Sequence, residues 1–166
     1  MNTPGRGHTV RPLKRHELPA ATRVKVAVTA EAWAPHLFWL RRHIDRRTRE
    51  AEARSVLPLW RSSGQIFGAF EGRDLIGVSR AIVGRYREVS DLWVIAGSRQ
   101  RGVGSALFAV AEAALRKQGV RTARLYTAAF NRDAIAFYRG RGWRIERRNM
   151  HRVAHIRRVR MIKRLR

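Results

Sequence analysis

The stretch that most restricts this chain runs from Glu88 to Gly119. Glu88 to Ala96, EVSDLWVIA, is a short apolar run suited to a buried, central strand. Beyond it the period becomes helical: Val103, Leu107, Val110, Ala111, Ala114 and Leu115 share one face, and Gly119 stands where a helix ends. A strand therefore hands over to a helix through SRQRGVGSAL, Ser98 to Leu107. The first N–H groups of a helix lack carbonyl partners and carry partial positive charge, so a helix start of this kind suits an anion. Gly102 and Gly104 remove two side chains, which lets a phosphate meet the N–H groups of Gly102, Val103, Gly104 and Ser105. Arg99 and Arg101, on either side of Gln100, add planar cationic forks that match phosphate oxygens. A pyrophosphate fits this turn. The dinucleotide fingerprint would need glycine at Leu107, and a P-loop would need lysine at Val103. On these residues alone, a glycine turn with incidental arginines remains the competing reading.

The flanking elements place the turn in a mixed α/β domain. His8 to Lys14 reads as a first strand, at an edge because Pro12 cannot donate to a ladder. Helices follow over Glu17 to Ala32 and from Pro35 to about Arg54, with Pro58 and Ser62-Ser63-Gly64 breaking the helical portion. Gln65 to Phe70, Leu75 to Val83 and Glu88 to Ala96 read as three strands joined by turns. After the helix from Gly102 come a strand over Val120 to Ala128, a short helix over Asn131 to Arg139, and strands over Trp143 to Arg148 and Ile156 to Lys163. The expected order is β-α-α-β-β-β-α-β-α-β-β, in one domain over residues 1–166 with no internal repeat.

Composition narrows the class. With 166 residues and 45% hydrophobic side chains, the chain can bury a core. No apolar run approaches the roughly 18 to 20 residues of a membrane span, and the first fifteen residues hold no signal-like apolar stretch, so a cytoplasmic protein is expected. Cysteine is absent, which excludes disulfides and thiolate chemistry. The net charge of +24 would attract anions such as coenzyme phosphates, nucleic acid or an acidic protein. Only Lys14, Lys25, Lys117 and Lys163 among the 36 basic residues are lysine, so codon bias in a G+C-rich genome accounts for the charge equally well. No zinc-knuckle spacing, aromatic RNA-binding consensus or basic zipper accompanies it.

Two motifs then carry a resemblance. Arg99-Gln100-Arg101-Gly102-Val103-Gly104 after an apolar strand resembles the coenzyme A motif [RQ]-x-x-G-x-[GA] of the GNAT acetyltransferase superfamily. Asn131 to Tyr138, NRDAIAFY, followed by Arg141-Gly142-Trp143, resembles that superfamily's second signature, N-x-x-A-x-x-F-Y-x-x-x-G-[FW]. The spacing between them, the opening VRPLKRHELPA and the closing MIKRL are also similar, so the likeness spans nearly the whole chain.

The resemblance implies a GNAT fold whose sheet splays at the coenzyme site, and transfer of an acetyl group from acetyl-CoA to an amine by direct attack in a ternary complex. It implies that backbone groups of Trp93, Val94 and Ile95 meet the pantetheine arm and that one of their N–H groups steadies the developing oxyanion. Tyr138 corresponds to the family's general acid; outside the motif it would read as a core aromatic. Asn131 is the expected partner of the pantetheine amides, or a helix cap whose backbone stays free while its side chain caps. Glu88 is the candidate base, with Asp91 and ordered water as alternatives, and a solvated strand-end acid beside Arg85 or Arg87 as the plain reading.

Metal is not expected. His151 and His155 fall where a spacing of four shares no face, and His36 and His43 lack a third ligand. Trp33, Phe38, Trp39 and Trp60 lie where the family builds its acceptor site, although core packing explains most of them. Arg41, Arg42, Arg46, Arg47 and Arg49 would repel a polycationic acceptor, so the expected acceptor is anionic or RNA-linked, or an acidic protein. A homodimer is a candidate assembly. Two other classes compete: a basic nucleic-acid-binding module on this scaffold, and an acyltransferase that docks an acidic acyl carrier protein.

Overall fold

A computed structural model describes residues 7–33, 46–62, 64–150 and 156–166. Its elements are β1 (Thr9–Pro12), α1 (Leu18–Trp33), α2 (Arg46–Ser62), β2 (Gln65–Glu71), β3 (Asp74–Ile82), β4 (Glu88–Val94), α3 (Val103–Lys117), β5 (Thr122–Ala128), α4 (Arg132–Arg139), β6 (Arg144–Met150) and β7 (Arg157–Arg164). The expected order holds, and the strands form a seven-stranded mixed α/β sheet in the order β1-β2-β3-β4-β5-β7-β6, with β4 in the middle. The pairing is mostly antiparallel. β4 and β5 are the parallel pair, in register at Glu88↔Arg124, where the Arg124 N–H donates to the Arg87 carbonyl at 2.9 Å.

Contacts divide the chain into two compact units, Met1–Arg80 with Asp91–Ala111, and Ala81–Ser90 with Glu112–Arg166. In the first unit β1 runs antiparallel to β2, from Thr9↔Phe70 to Pro12↔Phe67, and Pro12 lies on the edge strand as its missing N–H requires. Leu18 and Ala21 of α1, Trp60 of α2, Ile66 of β2 and Val78 of β3 form a buried cluster, with Leu13, Val56, Leu57, Leu75 and Trp93 packed against it. Successive strand residues face opposite ways. Ser79, next to Val78, accordingly points to the other face, where its hydroxyl donates to the Leu107 carbonyl of α3 at 2.9 Å. A Cβ on Gly77 would come within 2.9 Å of both the Leu107 side chain and the Trp93 carbonyl, so this glycine lets α3 approach the sheet closely.

One expectation about the helices is corrected. Pro58 does not break the second helix but lies inside α2, which continues to Ser62. The reason is in the packing. Leu57 and Trp60 anchor the last turns in the core, while Pro58 itself and Arg54, whose carbonyl loses the N–H it would accept from, are exposed to water. Residues 35–45 of the expected helix, with Phe38, Trp39, Arg41 and Arg42, lie outside the described residues, as do the side chains of Trp33, Arg46, Arg47 and Arg49. Trp60 is only 2% exposed and belongs to the core.

In the second unit β5 pairs antiparallel with β7 from Thr122↔Arg164 to Ala128↔Arg158, and β7 pairs with β6. Leu115, Ala123, Leu125, Val159 and Met161 are fully or nearly fully buried. Beside them lies a buried carboxylate. Glu112 accepts a hydrogen bond from the Trp143 indole at 2.6 Å and from the Lys163 ammonium at 2.9 and 3.0 Å, with Arg116 at 3.6 Å. The tryptophan that closes the second sequence signature is therefore tied to α3 by a charge-assisted bond. Replacing Glu112 with alanine takes the carboxylate from a partly exposed ammonium and from the Trp143 indole, and thermal or denaturant unfolding should show a loss of about 2 kcal/mol. A loss under about 0.5 kcal/mol would mean the carboxylate contributes nothing net.

Candidate coenzyme site

The glycine turn lies in the first unit. After β4, a single 3-10 turn over Ala96–Ser98 buries Ser98, and the chain then takes left-handed backbone angles at Gln100 (φ 60°) and Gly102 (φ 81°). Glycine adopts that region without penalty, whereas Gln100 stores about 1 kcal/mol of strain. The first bond inside α3 runs from the Ala106 N–H to the Gly102 carbonyl at 3.0 Å. The N–H groups of Val103 and Gly104 therefore precede the helical ladder, as helix geometry demands.

Gly104 differs from Gly102 in kind. It sits in ordinary helical backbone, and a Cβ there would lie 3.7 Å from Val94 Cγ2, a normal contact. The fold does not need a bare position at Gly104. Gly102, by contrast, is required by its own φ. A missing side chain that packing does not require points to a ligand.

The two arginines are already tethered. Arg101 donates both terminal nitrogens to Glu71, at 2.8 and 3.2 Å, and this pairing raises its pKa further. Arg99 donates its Nε to the Val94 carbonyl at 3.1 Å and pairs with Glu31 at 3.5 Å. Of the backbone groups on β4 and just beyond it, the Ile95 N–H donates to the Ile76 carbonyl at 3.0 Å. Trp93, Val94 and Ile95 are half-buried, and Val94 is the residue whose side chain a Cβ on Gly104 would meet.

Asn131, Tyr138 and Glu88 belong to the second unit. The Asn131 side chain accepts from the Ala134 N–H at 3.1 Å and caps α4. Its backbone is not free, which corrects the expectation: the Asn131 N–H donates to the Ala128 carbonyl at 3.0 Å, and its carbonyl accepts from the Ile135 N–H at 3.1 Å. A helix start at the end of a turn engages both groups at once. Tyr138 is buried on α4, edge-on to Phe137 at 5.4 Å between centroids, and burial pushes its phenol up to about 12. Glu88 opens β4.

Two groups were not foreseen. Tyr126 on β5 is half-buried; burial raises its pKa, but hydrogen bonds with Arg160 and Arg124 outweigh that, so its phenol lies below the usual value. Arg158 stacks on its ring at 4.3 Å. Arg80 on β3 is buried beside Asp91, which takes a left-handed backbone (φ 52°) in the middle of β4. The visible signal for Arg80 was a lone cation inside the apolar run DLIGVSRAIV. No cluster of metal-ligating side chains occurs among the described residues, and His36, His43, His151 and His155 lie outside them.

With this geometry in place, comparison with known proteins identifies relatives. The profile described as the acetyltransferase (GNAT) family matches residues 17–143. Curated protein sequences give no match. Among solved structures, the PaiA N-acetyltransferase of Thermoplasma acidophilum, in complex with coenzyme A, is similar at 19% identity and a TM-score of 0.75, over 95% of this chain and 99% of that one. The ribosomal-protein-S18-alanine N-acetyltransferase of Escherichia coli is similar at 18% identity and a TM-score of 0.70, over 96% and 94%. The ribosomal-protein-alanine N-acetyltransferase of Brucella melitensis is similar at 20% identity and a TM-score of 0.66, over 95% and 99%.

Proposed function

This chain belongs to the acetyltransferase (GNAT) family, and from that premise we propose that it joins acetyl-CoA and an amine in a ternary complex in which the amine attacks the thioester directly. Acetyl-CoA-dependent acetyl transfer is the activity of the family. The observation that carries the reading for this chain is the helix start at Gly102–Gly104, with a glycine at position 104 that packing does not require. Those N–H groups would hold the pyrophosphate, with Gln100 and Val103 shaping the turn. Because Arg99 and Arg101 are paired with Glu31 and Glu71, charge from them reaches a phosphate only if those pairs yield. The main attraction in this reading is the backbone.

Within it, Tyr138 supplies the proton for the departing thiolate, and the N–H of Trp93 or Val94 steadies the oxyanion, since that of Ile95 is engaged by the Ile76 carbonyl. Asn131 acts through the cap that orients α4. The pairing of Asp91 with Arg80 and Lys25 supports Glu88 as the base that accepts the ammonium proton, directly or through water. The acceptor in this reading carries anionic character, because a chain of net charge +24 repels a polycation. No helix among the described residues is long and apolar enough to cross a membrane.

Calorimetry tests the donor. Micromolar binding of free acetyl-CoA is expected; weak binding with transfer from an acylated acidic carrier protein would replace free coenzyme by the carrier. Filter binding of tRNA across a salt series tests an RNA-linked acceptor. Log affinity falling linearly with log salt is expected for phosphate contacts, and weak binding without a salt slope rules that acceptor out.

A further inference from the structure

Among the described residues of the first unit, the buried polar side-chain atoms without a hydrogen-bond partner lie on the α1-facing side of β3 and β4. Arg80 follows Val78 by two residues, so both point to this side, where Val78 packs with Leu18, Ala21 and Trp60, and Trp93 packs against the same cluster. Arg80 is 5% exposed. Its Nε and Nη1 are fully covered and have no hydrogen-bond partner, and the same holds for the indole nitrogen of Trp93. Asp91 Oδ2 stands 3.3 Å from Arg80 Nε, close enough for charge attraction but without hydrogen-bond alignment. Lys25 of α1 adds a second cation, 3.9 Å from Asp91 Oδ1. Among the described residues two cations therefore face one carboxylate, in a place where the three side chains are 6%, 16% and 12% exposed for Arg80, Lys25 and Asp91.

Buried N–H groups without partners and a buried excess of charge are each expensive, and native structures keep them where a ligand or catalysis uses them. A water molecule could satisfy an N–H group but would leave the excess positive charge. An anion answers both. Those atoms have no exposed surface, so a ligand reaches them only where a covering side chain moves aside; a polymer backbone is too bulky for that, whereas a small planar group at the end of a substrate is not, and a carboxylate matches a guanidinium plane. The strand also sets a position. Asp91 lies three residues before Val94, the neighbour of the glycine turn, which is roughly 10 Å along β4. The left-handed backbone at Asp91 costs about 1 kcal/mol or more, and Arg80 and Lys25 hold it.

We propose that Arg80, with the Trp93 indole N–H and Lys25, is a carboxylate subsite, and that the acceptor is a small amine that bears a carboxylate. This rests on the acetyltransferase reading and narrows it. Asp91 in this arrangement orients the two cations.

The test compares free amino acids with their carboxamides as acceptors, scored by mass spectrometry of the acetylated products, with acetyl-CoA affinity measured by calorimetry on the same samples. The native protein should acetylate at least one amino acid with kcat/KM about 10²-fold or more above that of its amide. Arg80→Gln should collapse that ratio toward one, through KM, and leave acetyl-CoA affinity unchanged; a merely structural arginine would lower both substrates alike. Trp93→Phe removes the indole N–H and keeps the ring, so it serves if Arg80→Gln does not fold, with a ratio change of about tenfold. Equal use of acid and amide overturns the proposal. So does bound acetyl-CoA with no amino acid acetylated, an outcome that leaves the enzyme reading standing. Failure to bind acetyl-CoA at all overturns the enzyme reading first.

Discussion

Tyr138→Phe should lower turnover about 10²-fold while acetyl-CoA affinity stays within twofold of the native value. The substitution keeps the ring that packs edge-on to Phe137 and deletes only the hydroxyl. Burial sets the phenol at about 12, so it holds its proton at any working pH. An ordinary thiol titrates near ~8.5, and complete transfer from this phenol to such a thiolate would be uphill by about 5 kcal/mol. Tyr138 therefore acts best by donating a hydrogen bond as negative charge grows on sulfur, with the proton following as the amine gives up its own. The pH profile carries the sign. A phenol raised above its usual value is lost as a donor only when pH climbs toward 12, so no falling limb from Tyr138 is expected below about pH 11. Steady-state kinetics of the two proteins from pH 6 to 11 check this. Equal turnover would remove Tyr138 from the mechanism, and a limb near pH 10 present only in the native protein would mean the phenol is not shielded.

Gly104→Val should weaken acetyl-CoA binding by 10²-fold or more without lowering the melting temperature. The first side-chain carbon fits at 3.7 Å from Val94 Cγ2, and valine tolerates a helix at least as well as glycine does. What the branched side chain covers is the space over the first N–H groups of α3. Gly102→Val makes the contrast: there a β-branched residue would have to adopt φ 81°, and stability should fall along with affinity. Paired calorimetry and thermal unfolding separate the two. If Gly104→Val binds acetyl-CoA as tightly as the native protein, the helix start is not the pyrophosphate site.

Much of the fold could be read directly from residue patterns. The apolar run at Glu88 to Ala96, the helical period from Val103 and the edge position of Pro12 are local signals, and β4, α3 and β1 begin within a few residues of where those signals place them. Pro58 misled because its local penalty, about 3 kcal/mol, is offset by packing of Leu57 and Trp60 on either side of it, which a local pattern does not show. The candidate site was legible in part for the same reason. A turn that needs φ 81° at Gly102 announces itself as glycine, and the Asn131 cap and Tyr138 fall at fixed offsets within one short helix.

Charge partners were not legible, because they join residues far apart in the chain. Nothing near Arg101 predicts that Glu71 holds it, and nothing near Trp143 predicts Glu112. The sequence by itself determined the alternation of strands and helices and the bare helix start, since both follow from side-chain period and backbone freedom over a few residues. Tertiary structure alone decided which arginines are spent on carboxylates and which, like Arg80, are buried with N–H groups unpaired. Coulomb energy and desolvation depend on distances through space, and a linear order of residues does not contain them.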